Sequence, residues 1–77
     1  MLSRWPRVTF DPQIMGGKPC IRGMRVTVGT VVGLVAAGQS VPDILAAYPY
    51  LEADDVREAL EYAAWRAQEL DLPLPAA

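Results

Sequence analysis

A glycine-rich, cationic segment near the start of the chain is the first place where chemistry could reside. Residues 15–28 read MGGKPCIRGMRVTV. Two glycines followed by a lysine could hold an anion through backbone N–H groups and an ammonium group. A Walker loop, however, requires G-x-x-x-x-G-K-[ST] before a helix, and here Lys18 is followed by Pro19, which has no N–H group. We therefore interpret GGKPC as a structural turn.

The other reactive groups do not form a recognisable catalytic set. Cys20 is the single cysteine and the chain has no histidine, so a cysteine nucleophile would lack its usual base. We interpret Cys20 as a small buried residue. Asp54, Asp55 and Glu58 could bind a divalent cation, but acids at a helix start are usually solvated and favoured by the helix dipole, which is the role we expect. The sequence thus predicts no enzymatic activity, no metal site and no cofactor.

The charged residues divide the chain into a basic and an acidic half. Residues 1–40 contain five cations and one acid, whereas residues 41–77 contain two cations and eight acids. A phosphate-bearing partner should therefore contact the first half. The five cations of that half, which we predict to bind DNA, are Arg4, Arg7, Lys18, Arg22 and Arg25. For Arg22 and Arg25, ion pairs with the acidic half are an equally good alternative.

The elements that position these groups should begin with a short β-ribbon. Residues 8–10 are rich in β-formers, and residues 25–28 alternate polar and β-branched apolar side chains, so we predict that the two segments pair. The segment between them contains two prolines and three glycines. These residues suit a chain reversal and not a helix, so we predict a loop there.

Three helices are predicted after the ribbon. Apolar residues at helical spacing from Val28 to Val35 indicate the first helix, and Gly38 marks its end. Ser40 is the expected N-cap of the second helix, which Pro49 terminates. The apolar residues that the second helix should bury are Val41, Ile44, Leu45 and Tyr48.

The third helix is predicted to run from about Ala53 to about Leu70. Its apolar face comprises Val56, Ala59, Leu60, Ala63, Ala67 and Leu70. Tyr62 and Trp65 lie off this face and could either widen the core or anchor an interface. A short helix, a brief connection and a longer helix indicate a helix-turn-helix arrangement. We therefore predict a mostly α fold, with a short N-terminal β-ribbon followed by a three-helix bundle.

Size and composition predict one small domain that self-associates. The 77 residues should form a single domain, with residues 7–70 folded and residues 1–6 and 71–77 as arms. The chain is 52% hydrophobic and lacks charged residues between Val28 and Gly38, so we expect a homodimer. No apolar run reaches the ~20 residues of a membrane span, and the first residues lack the apolar core of a signal peptide. We expect a cytoplasmic protein without membrane contact.

The segment VTFDPQIMGGKPCIRGMRVTV resembles the opening motif of the domain-of-unknown-function family 433, and the likeness continues through VVGLVAAGQSVPDILAAYPYLEADDVREALEYAA. It covers about residues 8–64. The resemblance implies a homeodomain-like helix-turn-helix fold and an antitoxin that neutralises a PIN-like ribonuclease toxin while binding operator DNA. Met24 stands where the family pattern usually has threonine. The acids that begin the third helix would repel phosphate, so the basic arm and ribbon should supply the affinity for DNA.

We expect the toxin to contact the C-terminal end of the chain. The prolines of LDLPLPAA favour an extended tail that can lie in a groove. The residues that we predict to contact the partner are Tyr62, Trp65, Arg66, Leu70, Leu72 and Leu74. The alternative function is a dimeric protein-interaction module that does not bind DNA.

Overall fold

The structure, a computed structural model, describes residues 4–69, the last of these by its backbone alone. The described elements are β1 (Val8–Thr9), a 3-10 turn (Met15–Gly17), β2 (Cys20–Ile21), α1 (Val28–Ala36), α2 (Val41–Ala47) and α3 (Ala53–Glu69). The predicted fold class, a short ribbon followed by three helices, is confirmed. Residues 48–52 connect α2 to α3. The two helices and this short connection follow one another in the order of a helix-turn-helix.

The ribbon is built from different strands than predicted. β1 pairs with β2 in antiparallel register, with Val8 opposite Ile21. The prediction that residues 25–28 form the second strand is wrong, because Thr27 makes only an isolated bridge to Cys20. Thr27 is instead the N-cap of α1, where its hydroxyl oxygen accepts a hydrogen bond from the backbone N–H of Thr30. A two-residue strand between turn residues has too little pattern to be recognised in the sequence.

The GGKPC segment is a turn, as predicted. Met15, Gly16 and Gly17 all adopt positive φ angles of 50°, 67° and 83°. Two of these three positions carry glycine, which enters this region without a Cβ penalty. Cys20 follows as a buried residue of β2, which confirms its predicted place in the interior.

The end of α1 and the start of α2 agree with the sequence prediction. α1 is followed by Gly38 at a φ of 92°. α2 begins with a reciprocal capping box, in which the Ser40 side chain accepts from the Asp43 backbone and the Asp43 side chain accepts from the Ser40 backbone. Ile44 is fully buried, but the prediction that Val41 is buried is wrong. Val41 is the first residue of a seven-residue helix and lies at its solvent edge, with 37% of its surface exposed.

α3 begins at Ala53 as predicted and is described as far as Glu69. On its predicted apolar face, Val56 and Ala59 are buried, whereas Leu60 and Ala63 are half-buried. Ala67, on the same face, is exposed and lies at an open groove. Leu70 lies outside the described residues.

The core lies where α1 and α3 pack together and where the ribbon and α2 close against them. Tyr62 is buried there, so it widens the core beyond the predicted face of α3. Trp5 packs against the same core, and the described part of the predicted N-terminal arm therefore rests on the folded unit. Within residues 4–69, no helix is both long enough and apolar enough to cross a membrane.

Candidate functional site

A fully buried carboxylate, that of Asp55, lies in the first turn of α3. Its oxygens accept hydrogen bonds from Arg22 Nε at 3.0 Å and Arg22 Nη2 at 2.8 Å, and from Arg7 Nη1 at 2.8 Å. The backbone N–H of Glu52 donates a further bond at 2.9 Å. We call Arg7, Arg22 and Asp55 the Asp55 clamp. It joins the ribbon to the start of α3.

The ribbon positions both arginines of the Asp55 clamp. Arg7 precedes β1 and Arg22 follows β2, and the Arg22 N–H donates to the Arg7 carbonyl across the ribbon at 2.8 Å. Arg22 has a φ of 45°, which is unfavourable for a residue with a side chain. Its guanidinium also donates to the Tyr50 carbonyl at 2.9 Å. These bonds hold Arg22 in its left-handed conformation.

The arginines determine the ionisation of Asp55. Burial raises the pKa of its carboxyl group, but hydrogen bonds from Arg22 and Arg7 outweigh burial, so the pKa lies below its usual value. Hydrogen bonds to Glu52 and Asp55 raise the pKa of Arg7. The clamp is therefore charged on both sides at neutral pH.

The acids at the start of α3 differ from the prediction. Asp54 is solvated, with 61% of its side chain exposed, but the same prediction is wrong for Asp55 and Glu58, which are buried. Glu58 accepts a hydrogen bond from the backbone N–H of Arg7. Sequence reasoning missed these roles because Arg7, which donates to both Asp55 and Glu58, lies 48 and 51 residues away from them in the chain.

The five cations that we predict to bind DNA lie in three different settings. Arg7 and Arg22 belong to the Asp55 clamp, so the ion-pair alternative describes Arg22. The Arg4 guanidinium lies 5.2 Å and 5.5 Å from the ring centroids of Trp5 and Trp65. Lys18 and Arg25 form no salt bridge with the side chains that the structure describes. The assignment of all five to DNA stays a prediction.

The outward side of α3 carries its own ion pairs. Arg57 lies 3.5 Å from Asp54 and also pairs with Glu61 one turn further along the helix. All three side chains are at least 49% exposed. Because one cation lies between two acids, this surface has no net positive charge to offer to a phosphate backbone.

An open groove of about 340 Å³ lies between α1 and α3, and we call it the α1–α3 groove. Its walls include Val28, Gly29 and Val32 from α1 and Tyr62, Ala63, Arg66 and Ala67 from α3. Two of the predicted partner contacts, Tyr62 and Arg66, therefore lie at the groove. The predicted contacts Leu70, Leu72 and Leu74 are outside the described residues.

Tyr62 also links the groove to a cluster of aromatic rings. Its ring centroid lies 5.9 Å from that of Trp5, 6.1 Å from that of Phe10 and 6.0 Å from that of Trp65. Phe10 is largely exposed and Trp65 is half-buried. The predicted contact residue Trp65 is therefore close to the groove through Tyr62, without being one of its lining residues.

Sequence reasoning missed most of the groove. Val28 and Val32, like Ala63 and Ala67, are spaced four residues apart, so each pair lies on one side of its helix. This spacing is visible in the sequence. Which two helices face each other is not, because any of the three apolar faces could pack on another.

The comparisons with known proteins agree with the resemblance seen in the sequence. Residues 8–63 match the family model described as "Protein of unknown function (DUF433)". The uncharacterized protein y4eO of Sinorhizobium fredii is 50% identical over 56 residues, which are 73% of this chain and 25% of that protein. The chain thus spans a quarter of the length of this curated relative.

A solved structure is also similar. The crystal structure of a DUF433 member protein from Anabaena variabilis has a TM-score of 0.75 and 30% sequence identity. The match covers 82% of this chain and 62% of that one. With most of its length matched by the family model, the chain belongs to the DUF433 family.

Proposed function

We propose that the chain is an antitoxin-type protein of a prokaryotic type II toxin-antitoxin pair, and that it neutralises a PIN-like ribonuclease toxin by direct contact. The observation that carries this proposal is the α1–α3 groove, an open apolar surface beside a single cation. Exposed apolar grooves are typical of sites that bind other proteins. The kind of partner is taken from the family resemblance, and such a pair acts in the cytoplasm.

The toxin contact would extend from the α1–α3 groove toward the C-terminal tail. Tyr62 and Arg66 line the groove, and Trp65 is adjacent through the aromatic cluster. Leu70, Leu72 and Leu74 continue the chain beyond the described part of α3 and are proposed as further anchors. Val28 and Tyr62 are both core residues, so the groove walls are held in place before binding. A preformed site costs less ordering free energy when a partner binds.

Binding to operator DNA is a second role that one observation favours. The helix-turn-helix order of α2 and α3 is accompanied by two exposed cations, Lys18 and Arg25, that form no salt bridge within the described chain. The acids beside Arg57 oppose the close approach of phosphate to α3. We therefore propose that any contact with DNA is made by the ribbon side. A dimeric interaction module that keeps the groove and binds no DNA is the alternative.

The test of the antitoxin function is coexpression with the product of the adjacent reading frame, followed by copurification and a ribonuclease assay. Two variants make the test specific to the groove. Ala67→Trp places an indole in the groove, whereas Ala64→Trp adds the same group at an exposed position outside the groove lining. We expect the wild type and Ala64→Trp to suppress the ribonuclease and Ala67→Trp to lose suppression. A coexpressed product that neither copurifies nor loses activity would contradict the proposal.

A further inference from the structure

We propose that the α1–α3 groove binds a partner segment of defined chemistry: a large apolar side chain followed closely by a carboxylate. This inference rests on the proposed function, because it names the chemistry of the segment that the toxin would present. Two properties of the groove support it, namely its apolar lining and the lack of a described salt bridge at Arg66, its single charged residue.

The apolar part of the ligand is set by the apolar residues that line the groove. Val32 and the methyl groups of Ala63 and Ala67 offer carbon atoms and no hydrogen-bonding side chain. The volume of about 340 Å³ lies near the lower end of the ~300–1,000 Å³ of small-ligand sites, so the groove suits one or two side chains and not a whole helix. Aliphatic or aromatic side chains would bury apolar surface there.

The acidic part of the ligand is set by Arg66. This residue is the one charged residue of the groove lining, and it forms no salt bridge with the side chains that the structure describes. Arg7, Arg22 and Arg57, by contrast, each pair with a carboxylate of the chain. α1 contributes no acid anywhere between Val28 and Ala36. A carboxylate on the bound segment would therefore complement the charge of Arg66.

The same features disfavour the other classes of partner. A nucleic acid would gain one phosphate contact at Arg66 and nothing from the apolar lining, while the acids of α3 would repel its backbone. A basic peptide would place its charge next to Arg66. The groove therefore favours an acidic, apolar protein segment over both.

Selection of random linear peptides on phage against the immobilised full chain tests this inference without any toxin. We expect enriched peptides to carry Leu, Ile or Phe within a few residues of Asp or Glu. The decisive variant is Arg66→Glu, which should weaken binding of a selected acidic peptide about tenfold and shift a new selection toward Lys and Arg. Arg25→Glu, an equal change of charge at an exposed site outside the groove lining, should leave the selected peptides unchanged.

Blocking the groove gives a second readout. Ala67→Trp should abolish binding of the selected peptides, and Ala64→Trp should retain it, with circular dichroism used to verify that both variants unfold as the wild type does. Three results would overturn the inference: no enrichment above a blank surface, enrichment of basic peptides by the wild type, or undiminished binding to Ala67→Trp. Because no toxin is used, these results leave the antitoxin function open, and failure to suppress a ribonuclease leaves the peptide preference open.

Discussion

Asp55 connects three segments that are distant in the sequence, and single substitutions there test what the contact contributes. Its carboxylate accepts from the residue before β1, the residue after β2 and the backbone at the start of its own helix. A carboxylate with this many donors stabilises the fold only while it remains charged and paired.

We expect Asp55→Asn to lower the free energy of unfolding by about 2–3 kcal/mol. Loss of one partner of a fully buried pair costs about 3–5 kcal/mol, and the arginine side chains here are 28% and 37% exposed, so water partly compensates. Urea denaturation measures the change. Asp54→Asn, in the same turn but solvated, should change stability by less than about 0.5 kcal/mol. Equal effects of the two variants would contradict the role given to the clamp.

The lowered pKa of Asp55 predicts how the stability of the fold depends on pH. Because the pKa of Asp55 is lower in the folded than in the unfolded chain, the unfolded state binds more protons in acid. The contribution of Asp55 is thus complete above its unfolded pKa of about 4 and is lost as the pH falls through the folded pKa. Thermal melts from about pH 7 to about pH 3 should show stability falling with acid. Asp55→Asn should flatten the dependence of stability on pH. An unchanged slope of stability against pH would contradict the role that we give to Asp55.

Among the elements, α1 is the helix whose sequence suits it least. Gly29 and Gly33 lie within its nine residues. Three of its first four positions, Val28, Thr30 and Val31, carry β-branched residues, which also disfavour a helix. Gly33 is exposed and a Cβ placed there would meet nothing within 4 Å. α1 is therefore held by its packing against α3 and by its Thr27 cap more than by its own propensity.

Gly33→Ala should stabilise the chain by about 1 kcal/mol, because alanine loses less conformational freedom in a helix and here creates no clash. Gly38→Ala is the matched control. Its φ of 92° disfavours a side chain, so this variant should be destabilised although its surroundings are equally open. Chemical denaturation at one protein concentration compares them. A loss of stability in Gly33→Ala would mean that another molecule covers this side of α1.

Some elements could be predicted from residues that are close together in the sequence, and others could not. The helices could be predicted because their caps and periodicity lie within a few residues, as in the Ser40–Asp43 capping box. β2 could not, since its two residues carry no pattern of their own. The Asp55 clamp and the α1–α3 groove could not be predicted either, because both depend on which segments, distant in the sequence, pack together. Asp55 looks like an ordinary helix-start acid until Arg7 and Arg22 are placed beside it.

At the scale of the whole molecule, we expect a homodimer. α1 has no charged residue between Val28 and Ala36, so two copies could meet through this helix without bringing like charges together. Light scattering at micromolar concentration measures the mass of the species. A strict monomer, in the absence of a toxin, would contradict this expectation.

If the molecule binds operator DNA, the distribution of its cations predicts where. Arg22 is unsuitable for a test because it maintains the Asp55 clamp, so we would replace Lys18 and Arg25 together by alanine. In a dimer this should flatten the slope of log affinity against log salt by up to about 4, since each phosphate contact contributes about 0.9. Fluorescence anisotropy with promoter DNA provides the slopes. An unchanged slope would show that the DNA contacts lie elsewhere.

The Asp55 clamp also has a consequence for the kinetics of folding. Arg7 and Asp55 are 48 residues apart, whereas the caps and turns of each helix form between near neighbours. Contacts across so long a stretch of chain close only after much conformational entropy has been lost. We therefore expect the clamp to form late, after α1 and α3 have packed. Its removal should then shorten the lifetime of the folded chain and leave its rate of folding nearly unchanged.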